Sequence, residues 1–352
     1  MANETISYSG VKDLLRKLYF YLRFPFILLV SIFDFKRKKQ ESVKNIVLFR
    51  LDRLGDFVVS LPLIDSLKSE YPDAKITLVV RPYLKELAEI ISSIDNVYLY
   101  GSFVKAVKEL RKEKFDLAFD LLNDSKLKPA MLTFFTGAPV RVGFKWGFRE
   151  LLFTLSAEGS VGGTMVKRTL ELLKTLKISP KVTIPVINRK PAKKEFVAIH
   201  PGGYYPSQRW GTEKFAKLSI KIADELKAKV IIVGGPGDRK IVEEITKIAD
   251  NSSVASRVTG LNELVTILSR SKVLVCNNSG PLHLASALSV PTVSTMGPTD
   301  PVIWTPVGEK NIIIRKDIEC SPCSLAECGI HKCLGLITVE EMFAEVRKVL
   351  QN

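Results

Sequence analysis

The fold is decided by residues 45–56, Asn-Ile-Val-Leu-Phe-Arg-Leu-Asp-Arg-Leu-Gly-Asp, which lead from a short apolar run into a helical pattern. Residues 45–50 are apolar on both faces, as in a strand buried between two layers of helices. The same alternation recurs: β-rich runs lie at 75–80, 97–100 and 115–121, and helical patterns fill 56–70, 83–92 and 102–113. These features predict a parallel β-sheet covered by helices on both sides.

The pattern restarts after residues 184–194, a linker that contains proline and lysine. Strands are expected at 196–200, 229–233, 254–258, 272–276 and 291–295, with helices between them. We therefore predict two tandem Rossmann-like, doubly wound α/β domains that bind ligands in the interdomain cleft, at the carboxyl ends of the strands. The predicted segments are an N-terminal segment (1–42), a first domain (43–185), a second domain (186–337) and a C-terminal helix (338–352).

The composition is that of a folded protein with an anionic partner. The 352 residues suffice for two domains with separate cores, and Lys+Arg 52 against Asp+Glu 37 gives a net charge of +15. Nucleic acid, anionic lipid and a phosphorylated substrate all fit that charge. A nucleic-acid-binding protein should show a basic-aromatic stripe or a helix-turn-helix, and the sequence has neither. We therefore expect no nucleic-acid partner.

The first 40 residues contain eight basic and three acidic residues around an aromatic and aliphatic run at 19–33. The run lacks the small-residue cleavage site of a secretory signal, and Asp34 interrupts it before it reaches the length of a membrane-spanning helix. We expect an interfacial anchor with lysines on anionic lipid, and hence a peripheral membrane protein. The alternatives are a helix that packs on the protein's own core or one that mediates a dimer.

The loops after the strands hold the candidate site residues. In the first loop Gly55 allows a tight turn, and Asp56 is either functional or the N-cap of the next helix. There is no G-x-G-x-x-G, so dehydrogenase-type dinucleotide binding is not supported. In the second domain Gly202 and Gly203, followed by Arg209, suit a phosphate or a pyrophosphate, although an ordinary glycine-rich turn is the alternative. Asp238 is placed to accept hydrogen bonds from ribose hydroxyls or to cap a helix.

The strongest motif is Asn277-Asn-Ser-Gly-Pro-Leu-His-Leu-Ala-Ser-Ala287, which follows a buried strand and opens a helix. Backbone amides at that helix N-terminus, with the helix dipole behind them, form an anion site. His283 within it has an alternative reading as a half-buried, satisfied residue. Met-Gly-Pro-Thr-Asp-Pro at 296–301 ends the next strand at the same edge of the sheet.

Together, Arg-Leu-Asp-Arg-Leu-Gly-Asp, His-Pro-Gly-Gly…Arg-Trp, Asn-Ser-Gly-Pro-Leu-His-Leu-Ala and Gly-Pro-Thr-Asp-Pro resemble the ADP-heptose:lipopolysaccharide heptosyltransferases, glycosyltransferase family 9. The resemblance runs from about residue 44 to 350. It implies a GT-B fold and an inverting, metal-independent transfer from ADP-L-glycero-D-manno-heptose to the lipid A–Kdo or heptosyl acceptor of the lipopolysaccharide inner core. It also implies a location at the cytoplasmic face of the bacterial inner membrane.

The resemblance assigns roles to particular residues. Asp56 matches the family's proposed catalytic aspartate, and we expect Arg50 and Arg53 beside it to bind the acceptor. Family members commonly carry Lys-Arg-Trp where this chain has Gln208-Arg209-Trp210, so we expect Arg209 to supply the catalytic cation. A second departure is Asn278, where many relatives have Asp. The expected donor-binding residues are Gly202, Gly203, Gln208, Asp238, Asn278, Ser279, Gly280, Pro281 and His283.

Four of the five cysteines lie in Cys320-x2-Cys323-x4-Cys328-x4-Cys333, with His331 among them. This spacing is that of a zinc knuckle with cysteine in the third position, and clustered thiolates suit Zn²⁺ or an iron–sulfur centre. A purely structural metal site, disulfides and free thiols are the three possibilities. No cofactor is expected for catalysis.

Two alternative functions share the tandem α/β pattern. One is a family 9 transferase that moves a hexose or N-acetylglucosamine onto a glycolipid. The other is a nucleotide-sugar-binding, epimerase-like protein, which would act on the nucleotide sugar without any acceptor.

Overall fold

The computed structural model describes residues 21–32, 42–190, 192–250 and 253–351. Each half of the chain contains one six-stranded sheet, and every strand pair is parallel. The first sheet has the order β3-β2-β1-β4-β5-β6. Its strands are β1 (Asn45–Arg50), β2 (Lys75–Val80), β3 (Asn96–Leu99), β4 (Leu117–Asp120), β5 (Val140–Lys145) and β6 (Leu155–Glu158).

The second sheet repeats this topology, with the order β12-β11-β10-β7-β8-β9. The strand order therefore reverses between β1 and β4 in one sheet and between β7 and β10 in the other, and these switch points are where doubly wound folds bind ligands. The strands are β7 (Phe196–His200), β8 (Val230–Gly234), β9 (Val254–Val258), β10 (Ser271–Asn277), β11 (Thr292–Thr295) and β12 (Asn311–Ile314).

Helices cover both faces of the sheets, so the predicted pair of doubly wound α/β units is confirmed. The first half contains α1 (21–32), α2 (Leu54–Val59), α3 (Leu61–Glu70), α4 (Lys85–Glu89), α5 (Phe103–Leu110), α6 (Leu127–Phe135) and α7 (Met165–Lys174). The second half contains α8 (Thr212–Glu225), α9 (Arg239–Ala249), α10 (Leu261–Arg270), α11 (Gly280–Ala287), α12 (Pro301–Trp304), α13 (Lys332–Gly335) and α14 (Val339–Gln351).

Three strands were missed by the sequence prediction: β5, β6 and β12. Strand β6, Leu-Ser-Ala-Glu, is only four residues long and lies at the sheet edge, so its sequence lacks an apolar run. The helix predicted at 56–70 is two helices. Ser60 donates its hydroxyl to Phe57 O at 2.6 Å, and Pro62, which has no N–H, starts a new helix after it.

Two elements at the chain ends pack on opposite halves. The C-terminal helix α14 buries Met342, Phe343 and Val346 in the core of the second half. Helix α1 buries Ile27 against the first half, beside Phe134 and Leu152. None of the helices that the structure describes is long and apolar enough to cross a bilayer. The lysine-rich residues on either side of α1 that were expected to meet anionic lipid lie outside the described residues.

Strand β5 makes a close contact that predicts a stability change. A Cβ built on Gly143 would lie 2.3 Å from the Phe153 ring, whereas one built on Gly101 would meet nothing within 4 Å. We expect Gly143→Ala to destabilise the protein by about 1–3 kcal/mol through overpacking. Gly101→Ala is the matched control. Urea denaturation measures both, and equal unfolding midpoints for the two variants would contradict the packing argument.

Candidate active site

Four loops meet where the strand orders reverse: those after β1, β4, β7 and β10. Because the carboxyl ends of parallel strands lie at one edge of a sheet, these loops face each other across the space between the two sheets. They line a cleft of about 930 Å³. This volume lies within the range of small-molecule binding sites.

Helices α2 and α11 meet at the floor of the cleft. A Cβ built on Gly280 would lie 2.9 Å from Leu54 Cβ and 3.2 Å from the Gly55 nitrogen, and one built on Gly55 would lie 3.3 Å from His283 Cδ2. Only residues without side chains allow the two helix N-termini to approach this closely. The contact brings the first loop of one sheet directly against the anion-binding motif of the other.

Asp56 is buried on the first side of the cleft, with 8% of its surface exposed. Helix α2 begins at Leu54, so Asp56 lies in its first turn and Arg53 is the N-cap residue. The Asp56 carboxylate accepts a hydrogen bond from Arg53 Nε at 3.3 Å, and the Arg53 guanidinium also lies 4.7 Å from the ring centre of Tyr204 in the other half. This places Asp56 beside the cleft, held by a cation that spans it.

A second ion pair lies on the same loop. Arg50 Nη1 donates to Asp52 Oδ2 at 2.9 Å, and both residues line the cleft. Arg50 Nε and Asp52 Oδ1 are buried without a hydrogen-bond partner among the described residues. Burial raises the pKa of Asp52 to about 7; the Arg50 charge opposes this and the Asp56 charge adds to it.

On the opposite side, Asn277 fixes the loop that follows β7. Its side-chain carbonyl accepts from Trp210 N at 2.9 Å, and its amide donates to Pro201 O at 2.7 Å and to Gly202 O at 3.0 Å. Gly202 leaves room for a carboxylate, because a Cβ there would lie 2.5 Å from Asp238 Oδ1. Asp238 accepts from Gly235 N at 3.1 Å and lines the cleft. It is the N-cap residue of α9, but its side chain makes no capping hydrogen bond to that helix.

The N-terminus of α11 opens into the cleft. The structure brings together there the predicted Ser279, Gly280 and Pro281, and the Ser279 side chain does not cap its own helix. His283, one turn further, is almost fully buried, and burial lowers its pKa to about 4. Its imidazole is therefore neutral at physiological pH.

A smaller cavity of about 190 Å³ adjoins the cleft, lined among others by Arg53, Asp56, Gln208, Asn278 and His283. Gln208 Nε2 donates to Thr299 Oγ1 at 3.2 Å, and Asn278 Nδ2 donates to Trp304 O at 3.2 Å. The two positions where this chain departs from the family pattern therefore lie at one end of the site.

Comparison with known proteins identifies the family. The glycosyltransferase family 9 (heptosyltransferase) profile matches residues 103–334. This chain belongs to glycosyltransferase family 9. Lipooligosaccharide heptosyltransferase 2 of Haemophilus influenzae is 28% identical over 349 residues, which cover 87% of this chain and 99% of that protein. Lipopolysaccharide heptosyltransferase 2 of Escherichia coli K12 is 25% identical, and the aligned region covers 84% of this chain and 96% of that protein.

Solved structures agree on the architecture. The structure of the E. coli ADP-heptose lipopolysaccharide heptosyltransferase II superposes with a TM-score of 0.75 at 23% identity, covering 88% of this chain and 98% of that one. The GT-B fold is thereby confirmed. Membership of a glycosyltransferase family also decides against the epimerase-like alternative.

Arg209 of the transferase is not placed as expected. Its Nε and Nη2 atoms donate to Gly203 O at 3.1 and 3.0 Å, and it is absent from the described residues that line the cleft and the smaller cavity. The cation that does reach both cavities is Arg53. A guanidinium satisfied by a loop carbonyl cannot be foreseen from sequence spacing.

Sequence reasoning missed several lining residues of the cleft. Most follow the ends of strands, so the rule that found Asp56 also applies to them. Arg81 and Tyr83 come after β2, and Arg81 Nε donates to Leu51 O at 2.7 Å, which holds the first loop. The missed lining residues include Arg81, Tyr83, Asn123, Asp124, Lys126, His200, Tyr204, Thr259 and Trp304.

The structure does not support the metal site expected at the cysteine group. Cys320 and Cys323 are exposed, Cys333 is buried in the second core, and all four cysteines are free thiols. His331 Nε2 lies 2.7 Å from Ser207 O. No group of three or more His, Cys, Asp or Glu side chains in the described part of the chain is arranged to hold a metal ion. Burial raises the pKa of the Cys333 thiol and Cys320, Cys323 and Cys328 add to this effect, so the four thiols lie near one another without forming a ligand set.

The raised pKa of Asp52 predicts a pH dependence of stability. The folded state binds this proton more tightly than the unfolded chain does, so the Asp52 contribution to stability is full at low pH. It is lost as pH rises from about 4 to about 7. We expect Asp52→Asn to remove this part of the slope.

Urea denaturation at several pH values measures the effect. Asp317→Asn is the matched control, because the Asp317 side chain is 98% exposed. If the wild type and Asp52→Asn lose stability in parallel between pH 4 and 7, the buried carboxyl does not titrate as argued.

Proposed function

We propose that this transferase moves a heptose from an ADP-activated donor to the inner core of lipopolysaccharide, with inversion at the anomeric carbon. The single observation that carries the proposal is the meeting of the Asp56 loop with the N-terminus of α11, at the contact between Gly280 and Leu54. It puts a carboxylate and an anion site on facing walls of one cleft. The curated relatives are named heptosyltransferases of lipopolysaccharide or lipooligosaccharide.

Asp56 is the proposed general base. A sugar hydroxyl is a poor nucleophile at neutral pH, so a carboxylate within hydrogen-bond reach takes its proton as the new C–O bond forms. The bond between the anomeric carbon and the phosphate oxygen breaks in the same displacement, and ADP leaves. Arg53, three residues before Asp56, donates to the Asp56 carboxylate at 3.3 Å.

The departing ADP needs positive partners in a water-poor site. The N-terminus of α11 supplies oriented backbone dipoles, with Ser279 and Gly280 at the cleft surface. Arg53 is the proposed side-chain cation, since it lines both cavities. Asp238 is the proposed ribose contact. The proposed transfer requires no metal ion.

The acceptor side is the wall formed by the first half of the chain. Arg50 and Arg53 line it together with Asn123 and Lys126 from the loop after β4. The proposed acceptor is a lipid-linked core sugar, which would place the reaction at the cytoplasmic face of the bacterial inner membrane, with the enzyme bound peripherally.

A second candidate is a family 9 transferase with another donor sugar, such as a hexose or N-acetylglucosamine. It is favoured by Gln208 and Asn278, the two departures from the family pattern, which share the smaller cavity. A donor–acceptor panel with the purified enzyme, scored by the mass of the extended glycolipid, distinguishes the two. Heptose transfer from the ADP-linked donor supports the first proposal, and exclusive transfer of another sugar supports the second.

Asp56→Asn tests the base. The amide keeps the size of the carboxylate but cannot accept the proton, so turnover should fall by on the order of 10²–10⁴ while ADP binding and the melting temperature stay close to wild type. Asp52→Asn, four residues earlier, is the matched control, and its turnover should fall much less. Near-normal turnover of Asp56→Asn with a lowered melting temperature would assign Asp56 a structural role only.

Arg209→Ala tests the donor loop. Because Arg209 holds Gly203 O through two hydrogen bonds, its loss should loosen the loop that follows β7. We expect weaker ADP binding by about 10-fold and slower turnover. Arg239→Ala is the control, since that side chain is 62% exposed on the same half. Calorimetric titration with ADP measures the effect, and unchanged affinity would remove Arg209 from the donor side.

A further inference from the structure

Helix α1 has two different faces. Its inner face is docked on the first half of the chain: Ile27 is 1% exposed in a cluster with Leu152 and Phe153, and the rings of Phe24 and Phe148 lie 4.8 Å apart. The helix is therefore a fixed part of the domain surface. The inner face of α1 therefore packs on the protein's own core, which was one of the alternatives to a membrane anchor.

The outer face is apolar and uncovered. Among the described residues, 20 large apolar side chains are exposed, and six of them lie within the 12 residues of this helix. A soluble surface rarely concentrates apolar side chains in this way unless something covers them. The helix contains one charged residue, Arg23, which points inward with 8% of its surface exposed. The outer face is formed by Tyr21, Leu22, Phe26, Leu28, Leu29 and Ile32.

Arg23 connects the helix to the cleft. It donates hydrogen bonds to Ser125 O at 2.7 Å, to Gly147 O at 2.5 and 3.1 Å and to Trp146 O at 3.3 Å. Trp146 Nε1 in turn donates to Asn123 Oδ1 at 2.7 Å. Asn123 lines the cleft, so α1 is connected to the cleft wall through Trp146, which bonds to Arg23 by its backbone and to Asn123 by its side chain.

The same loop is held from its other side by Arg149. This arginine is fully buried, pairs with Asp120 and donates to Asp124 O at 2.5 Å and to Lys126 O at 3.0 Å. Asp124 and Lys126 both line the cleft. The loop from 123 to 126 is thus fixed between one arginine of the domain interior and one arginine of α1.

The distribution of charge indicates what covers the outer face. The lining of the cleft contains five Lys or Arg and five Asp or Glu, so the +15 of the chain is not concentrated there. The sequence on both sides of α1 is basic instead, and basic flanks beside an apolar helix face suit an anionic bilayer surface. The flanking basic residues are Lys12, Arg16, Lys17, Lys36, Arg37, Lys38 and Lys39.

We propose that the outer face of α1 lies in the headgroup region of a bilayer that contains anionic lipid, and that Arg23 ties this contact to the loop 123–126. The membrane then presents a glycolipid acceptor directly to the wall that binds it. The presentation of an acceptor to this wall rests on the proposed function, whereas the membrane contact does not. Deleting the helix would therefore remove a support of the acceptor wall as well as a membrane contact.

Vesicle binding tests the outer face. We expect the double variant Leu22→Glu, Leu29→Glu to lower co-sedimentation with phosphatidylglycerol–phosphatidylethanolamine vesicles by about 10-fold or more, because two exposed apolar side chains that would enter the bilayer are lost and two negative charges are added. Val104→Glu, Ile248→Glu makes the same change at exposed positions outside α1 and should bind like the wild type. The wild type should bind phosphatidylcholine vesicles less well.

Other occupants of the face would give different results. Unchanged vesicle binding by the α1 double variant overturns the membrane contact. So does a wild-type dimer, measured by light scattering, that this variant converts to a monomer, because the face would then bind a second copy of the chain.

Arg23→Lys tests the connection to the cleft. Lysine keeps the charge and most of the stem but cannot reach three carbonyls at once, so the loop should loosen while the domain stays folded. We expect the KM for the acceptor to rise about 10-fold, with vesicle binding, ADP affinity and melting temperature unchanged. An unchanged acceptor KM overturns the coupling. If neither the wild type nor Arg23→Lys transfers heptose, the proposed donor is wrong. The vesicle experiment still decides the membrane contact in that case.

Discussion

The contact between the N-termini of α2 and α11 is the constraint on which the site depends. Gly280 faces Leu54 and Gly55 so closely that no side chain fits between them. Both helices therefore direct the positive ends of their dipoles into the same small volume, and Arg53 adds a full positive charge there. The buried carboxylate of Asp56 lies in the same volume and pairs with Arg53. One packing contact thus brings together the proposed anion site and the proposed base.

Four arginines of the described residues hold loops at the border of the cleft. Arg23, Arg81, Arg149 and Arg209 all donate to backbone carbonyls of loops that border the cleft. A guanidinium is suited to this role, because its rigid fork of donors can satisfy several carbonyls at once. Carbonyl groups in irregular loops otherwise lack the partners that strands and helices provide. The loops that form the walls of the cleft are consequently held in fixed positions.

The sequence predicted the fold well because parallel strands buried on both faces leave apolar runs that can be read directly. It failed at β6, where an edge strand of four residues needs no such run. The site residues placed by the strand-end rule, such as Asp56 and Gly280, do lie in the cleft. The partner of Arg209 was not foreseen and the cysteine group was left open between a metal site, disulfides and free thiols, because the orientation of a side chain depends on the neighbour to which it bonds. Arg209 donates to Gly203 O, and Cys333 packs in the core of the second half.

Asp52 and Asp56 lie four residues apart but have different surroundings. Asp52 is paired with Arg50, a residue with only 3% of its surface exposed, and burial together with the charge of Asp56 raises its pKa. Asp56 instead pairs with Arg53, whose side chain is 44% exposed and reaches across the cleft. Because each charge disfavours the other, the loop accommodates one negative charge more easily than two. Asp56 lies beside the N-terminus of α11 and near the neutral imidazole of His283, which is the position that the proposed base requires.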